Sequence, residues 1–156
     1  MNRQAQKAPG RLPRTARSLP IALLRARERV MTPIREMLAA SGVNEQTWRV
    51  LRVLEEAGPM DQSLLARRAC LQLPSLTRIL RRMEQQGLIM RAADAADRRR
   101  SIVSITQAGR AVIDRHAAQS LAIFATLEAR FGAEQLAGLI DLLEALDSAD
   151  FTAPPD

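Results

Sequence analysis

The chain has 156 residues, a formal net charge of +6, 47% hydrophobic residues, one cysteine and one histidine. That length suits one domain and the apolar share suits a packed core, which excludes a disordered chain. No apolar run reaches the ~18 residues of a membrane span, no secretory signal is evident, and one cysteine excludes an internal disulfide, so a cytoplasmic protein is expected.

Residues 1–17 hold Pro9, Gly10 and Pro13 among five basic residues and no acid, and predict a basic flexible arm. Ser18 is a good N-cap with Pro20 in the first turn. A first helix follows on the apolar positions Leu23, Leu24, Met31, Ile34 and Leu38. Pro33 should kink or interrupt it, and Gly42 should end it. Asn44 caps a second helix, with Glu45 in the first turn and a stripe of Val50, Leu51, Leu54 and Ala57 that should be buried. Gly58-Pro59 stops it. Asp61 caps a short third helix with Leu64, Leu65 and Ala69 inward.

The segment Cys70 to Pro74 leads to a fourth helix at about 74–86, closed by Gly87. Aliphatic runs at 88–91 and 102–105 flank a polar segment from Ala93 to Ser101, which predicts a hairpin with a long charged tip. Thr106 caps a long helix of roughly 107–131 with the stripe Ile113, Ala117, Leu121, Phe124 and Leu127. After Gly132 a last helix carries Leu136, Leu139, Ile140, Leu143 and Leu146, and the tail from Phe151 should fray. The fold class is therefore mostly α with a small β-hairpin wing, the order of a winged helix-turn-helix protein.

Charge is concentrated along the chain. Residues 61–110 carry ten Arg against four acids, whereas residues 111–156 carry two Arg against eight acids. A focused basic segment favours a polyanion, because each neutralised phosphate releases condensed counterions. On the fourth helix, Leu76, Ile79, Leu80 and Met83 share one sector, and Arg78, Arg81 and Arg82 lie roughly opposite. Ser75 and Thr77 lie near its N-terminal end, the part of a recognition helix that meets base edges. Arg81 is also placed to meet phosphate. At the hairpin tip stand Asp97, Arg98, Arg99 and Arg100. Arginine at a wing tip suits a narrow, electronegative minor groove, and Asp97 is spaced to hold the Arg99 guanidinium in one pose.

The run Asp97-Arg98-Arg99-Arg100-Ser101-Ile102-Val103-Ser104-Ile105-Thr106-Gln107-Ala108-Gly109 resembles the wing signature of the MarR family of bacterial repressors, with Ile105 where Leu is usual. The resemblance covers about residues 18–148. Ile21-Ala22-Leu23-Leu24, Ala26-Arg27-Glu28, Glu45-Gln46-Thr47-Trp48-Arg49, Arg68-Ala69-Cys70 and Pro74-Ser75-Leu76-Thr77 look like the branch that controls homoprotocatechuate degradation. The resemblance implies a two-fold homodimer built from the first and last helices on a pseudo-palindromic operator of double-stranded DNA. It divides the chain into a dimerisation helix (18–43), a DNA-binding region (44–106) and C-terminal dimerisation helices (107–150). It implies the fourth helix in the major groove and Arg99 in the minor groove. It also implies repression of a catabolic operon, relieved by an aromatic acid or its coenzyme A thioester.

In that frame Arg27, Trp48 and Arg49 are the candidate ligand-binding residues, since Arg presents a rigid donor fork for a carboxylate. Structural ion pairs with Glu28 or Glu45, and a core or interface role for Trp48, compete with that reading. Cys70 reads as a small buried filler, with a redox-sensing thiol as the alternative. His116 reads as a surface or interface residue, and one His with one Cys is a poor supply for zinc. No nucleophile with a base and an orienting partner occurs at motif spacing, and there is no Gly-rich phosphate loop, so neither an enzyme nor a cofactor is expected. A protein-interaction adaptor with a basic face is the other alternative.

Overall fold

The computed structural model describes residues 14–151, so most of the expected basic arm and all of the tail after Phe151 lie outside the described residues. Thr15–Arg17 form one 3-10 turn, which is more order than an arm extending to residue 17 would have. Six helices follow: α1 (Leu19–Ala39), α2 (Glu45–Ala57), α3 (Gln62–Arg68), α4 (Leu73–Gln85), α5 (Gln107–Phe131) and α6 (Ala133–Asp147). Strands β1 (Met60–Asp61), β2 (Ile89–Ala93) and β3 (Ser101–Ile105) form an antiparallel sheet in the order β1-β3-β2.

The helix starts follow from their caps. The Asn44 side chain accepts from the Thr47 amide, Asp61 from that of Leu64 and Thr106 from that of Gly109, each satisfying a donor the first turn leaves free. Thr106 also donates to the Gly87 carbonyl at 2.6 Å, which ties the start of α5 to the end of α4. Gly87, at φ +69°, closes α4: its amide reaches the Glu84 carbonyl and the Leu88 amide reaches that of Met83. Pro33 does not interrupt α1, which runs through it as one helix.

The core lies where α2, α3, α4 and the sheet meet. Val50, Leu51, Leu65, Leu76, Leu80, Met83 and Val103 are fully buried there. Ile34, Met37 and Leu38 of α1 and Val112, Ile113 and His116 of α5 extend it. Several expectations are corrected. Ala57, the last residue of α2, is exposed. His116 is buried, since its turn of α5 packs on α1 and α2: Nε2 lies 2.8 Å from Ser41 Oγ, and the ring meets Trp48 edge-on at 5.8 Å. Cys70 is exposed at φ +50°.

Cys70 occupies the left-handed position beyond α3, where glycine is usual. Its amide bonds to the Arg67 carbonyl at 3.2 Å and the Leu71 amide to that of Ala66 at 2.9 Å, so the geometry of the helix end turns the thiol outward. Beyond His116 the expected stripe of α5 is largely uncovered in the single chain: Ala117, Leu121 and Phe124 are exposed and Leu127 is half-buried. The last helix packs on α5 and buries no residue, leaving Leu139, Ile140, Leu142 and Leu143 exposed.

Candidate nucleic-acid interface

The face of α4 opposite its buried seam carries Arg78 and Arg81, both exposed. No side-chain hydrogen bond or ion pair engages either among the described residues. Ser75 and Thr77 are half-buried at the N-terminal end. The Thr77 hydroxyl donates to the Leu73 carbonyl at 2.9 Å, which fixes its rotamer and leaves its lone pairs outward as acceptors. Arg82 is exposed at the edge of this face and lines a cleft of about 200 Å3 with Ser41, Asn44, Thr47, Gln86 and Val112. It therefore faces the α1–α2 loop.

The wing is a β2–β3 hairpin in which Ala93 pairs with Ser101 and Ile89 with Ile105. Its tip is ordered by local hydrogen bonds: Asp94 Oδ1 accepts from the Ala96 amide at 2.9 Å, and the Arg100 amide reaches the Asp97 carbonyl at 2.8 Å. Asp97 Oδ1 accepts from the backbone amide of Arg99 at 3.0 Å, whereas the Arg99 guanidinium stands 3.9 Å away. Asp97 thus shapes the turn and leaves the Arg99 side chain 96% exposed, in place of the guanidinium clamp expected from the spacing. Arg98 and Arg100 are exposed and unpaired among the described residues. At the base of the wing, Arg91 Nε donates to Glu84 Oε2 at 2.9 Å, and its Nη2 makes a second bond to the same oxygen. That pair fastens β2 to α4, and the Arg91 guanidinium holds the Glu84 carboxyl below its ordinary pKa.

The candidate ligand residues lie on a different face, and two of them have internal partners. Arg27 of α1 pairs with Glu28 at 3.2 Å and with Glu45. Arg35 joins them, 2.6 Å from Glu28 and 3.1 Å from Glu45. Arg49 sits 3.6 Å from Glu45 and donates to the carbonyls of Ala69 and Cys70 at 2.9 and 3.3 Å. Burial alone would push the Glu45 carboxyl up, but the hydrogen bonds from Arg35 and Arg27 outweigh it and hold the pKa below the ordinary value. Trp48 is buried, with its ring edge-on to His116. Arg35 escaped the sequence reading, although its spacing from Glu28, two turns along the same helix, was the available signal. A groove of about 460 Å3 beside the cluster is lined by Arg35, Val43, Asn44, Glu45 and Gln46.

The arginines of these sites differ in their partners. Those at the α1–α2 junction and at the base of the wing have carboxylate partners. Those on the outer face of α4 and at the wing tip have none at hydrogen-bond distance among the described residues, and so remain available to a polyanion. No group of three or more His, Cys, Asp or Glu side chains suited to a metal occurs among the described residues. No helix among them is long and apolar enough to cross a membrane.

Residues 43–101 match the MarR family, the stretch that holds α2, α3, α4 and the wing as far as the first residue of β3. The homoprotocatechuate degradative operon repressor of Escherichia coli is 42% identical over 127 residues, 81% of this chain and 86% of that protein. Among solved structures, the transcriptional regulator PA4135 is similar with a TM-score of 0.80 at 36% identity, covering 85% of this chain and 98% of that one. NadR in complex with 4-hydroxyphenylacetate is similar with a TM-score of 0.77 at 33% identity, covering 96% of this chain and 100% of that one. A winged helix-turn-helix fold, an unpaired basic face and relatives of this identity over most of the chain lead to one conclusion: the protein belongs to the MarR family and is a DNA-binding transcription regulator rather than an enzyme.

Proposed function

We propose that the protein represses an aromatic-compound catabolic operon from the cytoplasm, as a homodimer released from a pseudo-palindromic operator by an aromatic acid. The single observation that carries the DNA reading is the gathering of exposed guanidinium groups on the outer face of α4 and at the wing tip, none with a carboxylate at hydrogen-bond distance among the described residues. Ser75, Thr77 and Arg78 then meet base edges in the major groove and Arg81 meets phosphate. Arg98, Arg99 and Arg100 serve the wing, with Arg99 in the minor groove and Asp97 shaping the turn that presents it. Arg82, at the edge of the face, contributes least.

The dimer reading rests on uncovered apolar surface. Leu19, Leu23 and Leu24 at the start of α1, Leu121 and Phe124 on α5, and Leu139, Leu142 and Leu143 on α6 are exposed in the single chain. Apolar patches of this kind mark association sites, and a second copy would cover them. Residues 18–43 and 107–150 are then the dimerisation segments flanking a DNA-binding region at 44–106.

The effector reading rests on NadR, whose complex holds 4-hydroxyphenylacetate, and on the repressor relative named for homoprotocatechuate degradation. In this chain an aromatic carboxylate would exchange with Glu45 for Arg27 or Arg49, beside Trp48. An aromatic coenzyme A thioester would present the same ring with a different head and is an outcome of the same test. Fluorescence anisotropy with DNA from the protein's own upstream region, against a scrambled duplex, tests the whole reading. Selective binding abolished by 4-hydroxyphenylacetate or a related acid is expected. Equal weak binding to both duplexes would contradict it and favour an adaptor.

A further inference from the structure

One side of α3, from its cap Asp61 to Arg67, and the wing enclose a polar cleft of about 290 Å3 lined by Asp61, Gln62, Ser63, Arg67, Arg99, Arg100 and Ser101. Arg67 stands one turn along α3 from Ser63, on the same side of the helix, and Arg100 enters from β3's leading end. Neither Arg67 nor Arg100 forms a side-chain hydrogen bond or an ion pair among the described residues. The one carboxylate in the cleft is already committed. Asp61 accepts from the Leu64 amide at 2.9 Å. That bond above all, then the Ser63 amide and the charges of Arg100 and Arg67, hold its carboxyl below the ordinary range. The cleft therefore gathers three guanidinium groups and two hydroxyl-bearing side chains around one occupied acid.

We propose that this cleft is a DNA-backbone clamp, in which Arg67 of α3 and Arg100 of the wing grip one phosphodiester from two sides, with Ser63 and Ser101 as further hydrogen-bond partners. Guanidinium pairs with phosphate bidentately, and a phosphate is the anion that a DNA strand running between helix and wing would present. The clamp carries no sequence information. It fixes the angle of the wing to α3, and so the depth at which the wing tip sits, while α4 reads bases. The proposal rests on the DNA-binding reading above and adds Arg67 and Ser63 to it.

The test uses the full-length protein and compares wild type with Arg67→Gln on operator DNA and on a scrambled duplex, between about 50 and 200 mM salt. The clamp predicts an affinity about fivefold lower for both DNAs, an unchanged ratio between them, and a log–log salt slope shallower by about 0.9 for each half-site occupied. Ser63→Ala should act in the same direction more weakly. Thermal melting of each variant establishes that the fold is kept, and Arg67→Lys should restore much of the slope. An unaltered slope in Arg67→Gln, or a loss confined to the operator, would overturn the clamp. Wild-type protein that does not distinguish operator from scrambled DNA would count against the repressor reading alone, because the slope comparison on scrambled DNA would still decide the clamp.

Discussion

The Arg49 guanidinium, on α2, donates to the Ala69 carbonyl at the end of α3 across 2.9 Å. Its other contacts are the Cys70 carbonyl and, on the same helix, Glu45. Glu45 in turn binds Arg27 and Arg35 of α1. One side chain thus joins the α1–α2 ion cluster to the turn that precedes the recognition helix. A change at the cluster has a short covalent and hydrogen-bonded route to the pose of α4.

Replacing Arg49 by Ala should therefore lower both stability and operator affinity. Two carbonyl acceptors lose a charged donor, for a cost of about 1–3 kcal/mol. Urea unfolding measures the first effect and anisotropy the second. A variant as stable as wild type would show that solvent replaces Arg49 without loss.

Cys70→Gly should stabilise the protein by about 1 kcal/mol, because glycine takes the left-handed conformation at no steric cost. The companion variant Cys70→Ser should leave release by aromatic acids unchanged. Loss of the response in Cys70→Ser would point to the thiol as the sensor.

Gly109→Ala should destabilise the fold by about 1–3 kcal/mol through overpacking. A Cβ there would overlap the Leu88 carbonyl oxygen and come within 2.7 Å of Ile105 Cγ1. The carbonyl has little freedom to retreat, since it accepts from the Thr106 amide at 3.1 Å. A melting temperature equal to that of wild type would sink this account of the glycine.

The Glu45 cluster predicts a pH dependence. The folded carboxyl titrates below its ordinary value of 4.5, so the cluster contributes its full stability above that pH and loses it as pH falls through the folded value. Comparing urea midpoints of wild type and Glu45→Gln at about pH 7 and about pH 3.5 should show a gap that narrows in acid. A gap of constant size would mean that the ionised carboxylate is not its source.

Much of this architecture is legible in the sequence because its signals are local. Asn44, Asp61 and Thr106 each cap the helix expected of them, and Gly87 closes α4. The amphipathic split of α4 also reads directly, since one helix turn fixes which residues share a face. What escaped depends on contacts distant in sequence. Strand β1 has two residues, too few for a period, and exists because Met60 and Asp61 pair with Val103 and Ile102. The inward turn of His116 depends on Ser41, 75 residues away. Cys70 looked apolar by its neighbours, but the end of α3 dictates its backbone. At the site, residue types on α4 and the wing were readable, and so were Glu28 and Glu45 as ion-pair partners for Arg27 and Arg49, whereas the bonds from Arg49 to the Ala69 and Cys70 carbonyls and the cleft around Arg67 depend on how α3 packs against α2 and the wing.

The central claim is that α4 and the wing together form the reading surface. Hydroxyl-radical and guanine-N7 methylation footprinting of wild type and Arg99→Ala on the upstream DNA tests it most directly. The account predicts two major-groove footprints about one helical turn apart, ~34 Å, each flanked by minor-groove protection that Arg99→Ala removes while the major-groove pattern persists. Flanking protection that survives in Arg99→Ala, or a footprint without major-groove contacts, would contradict it.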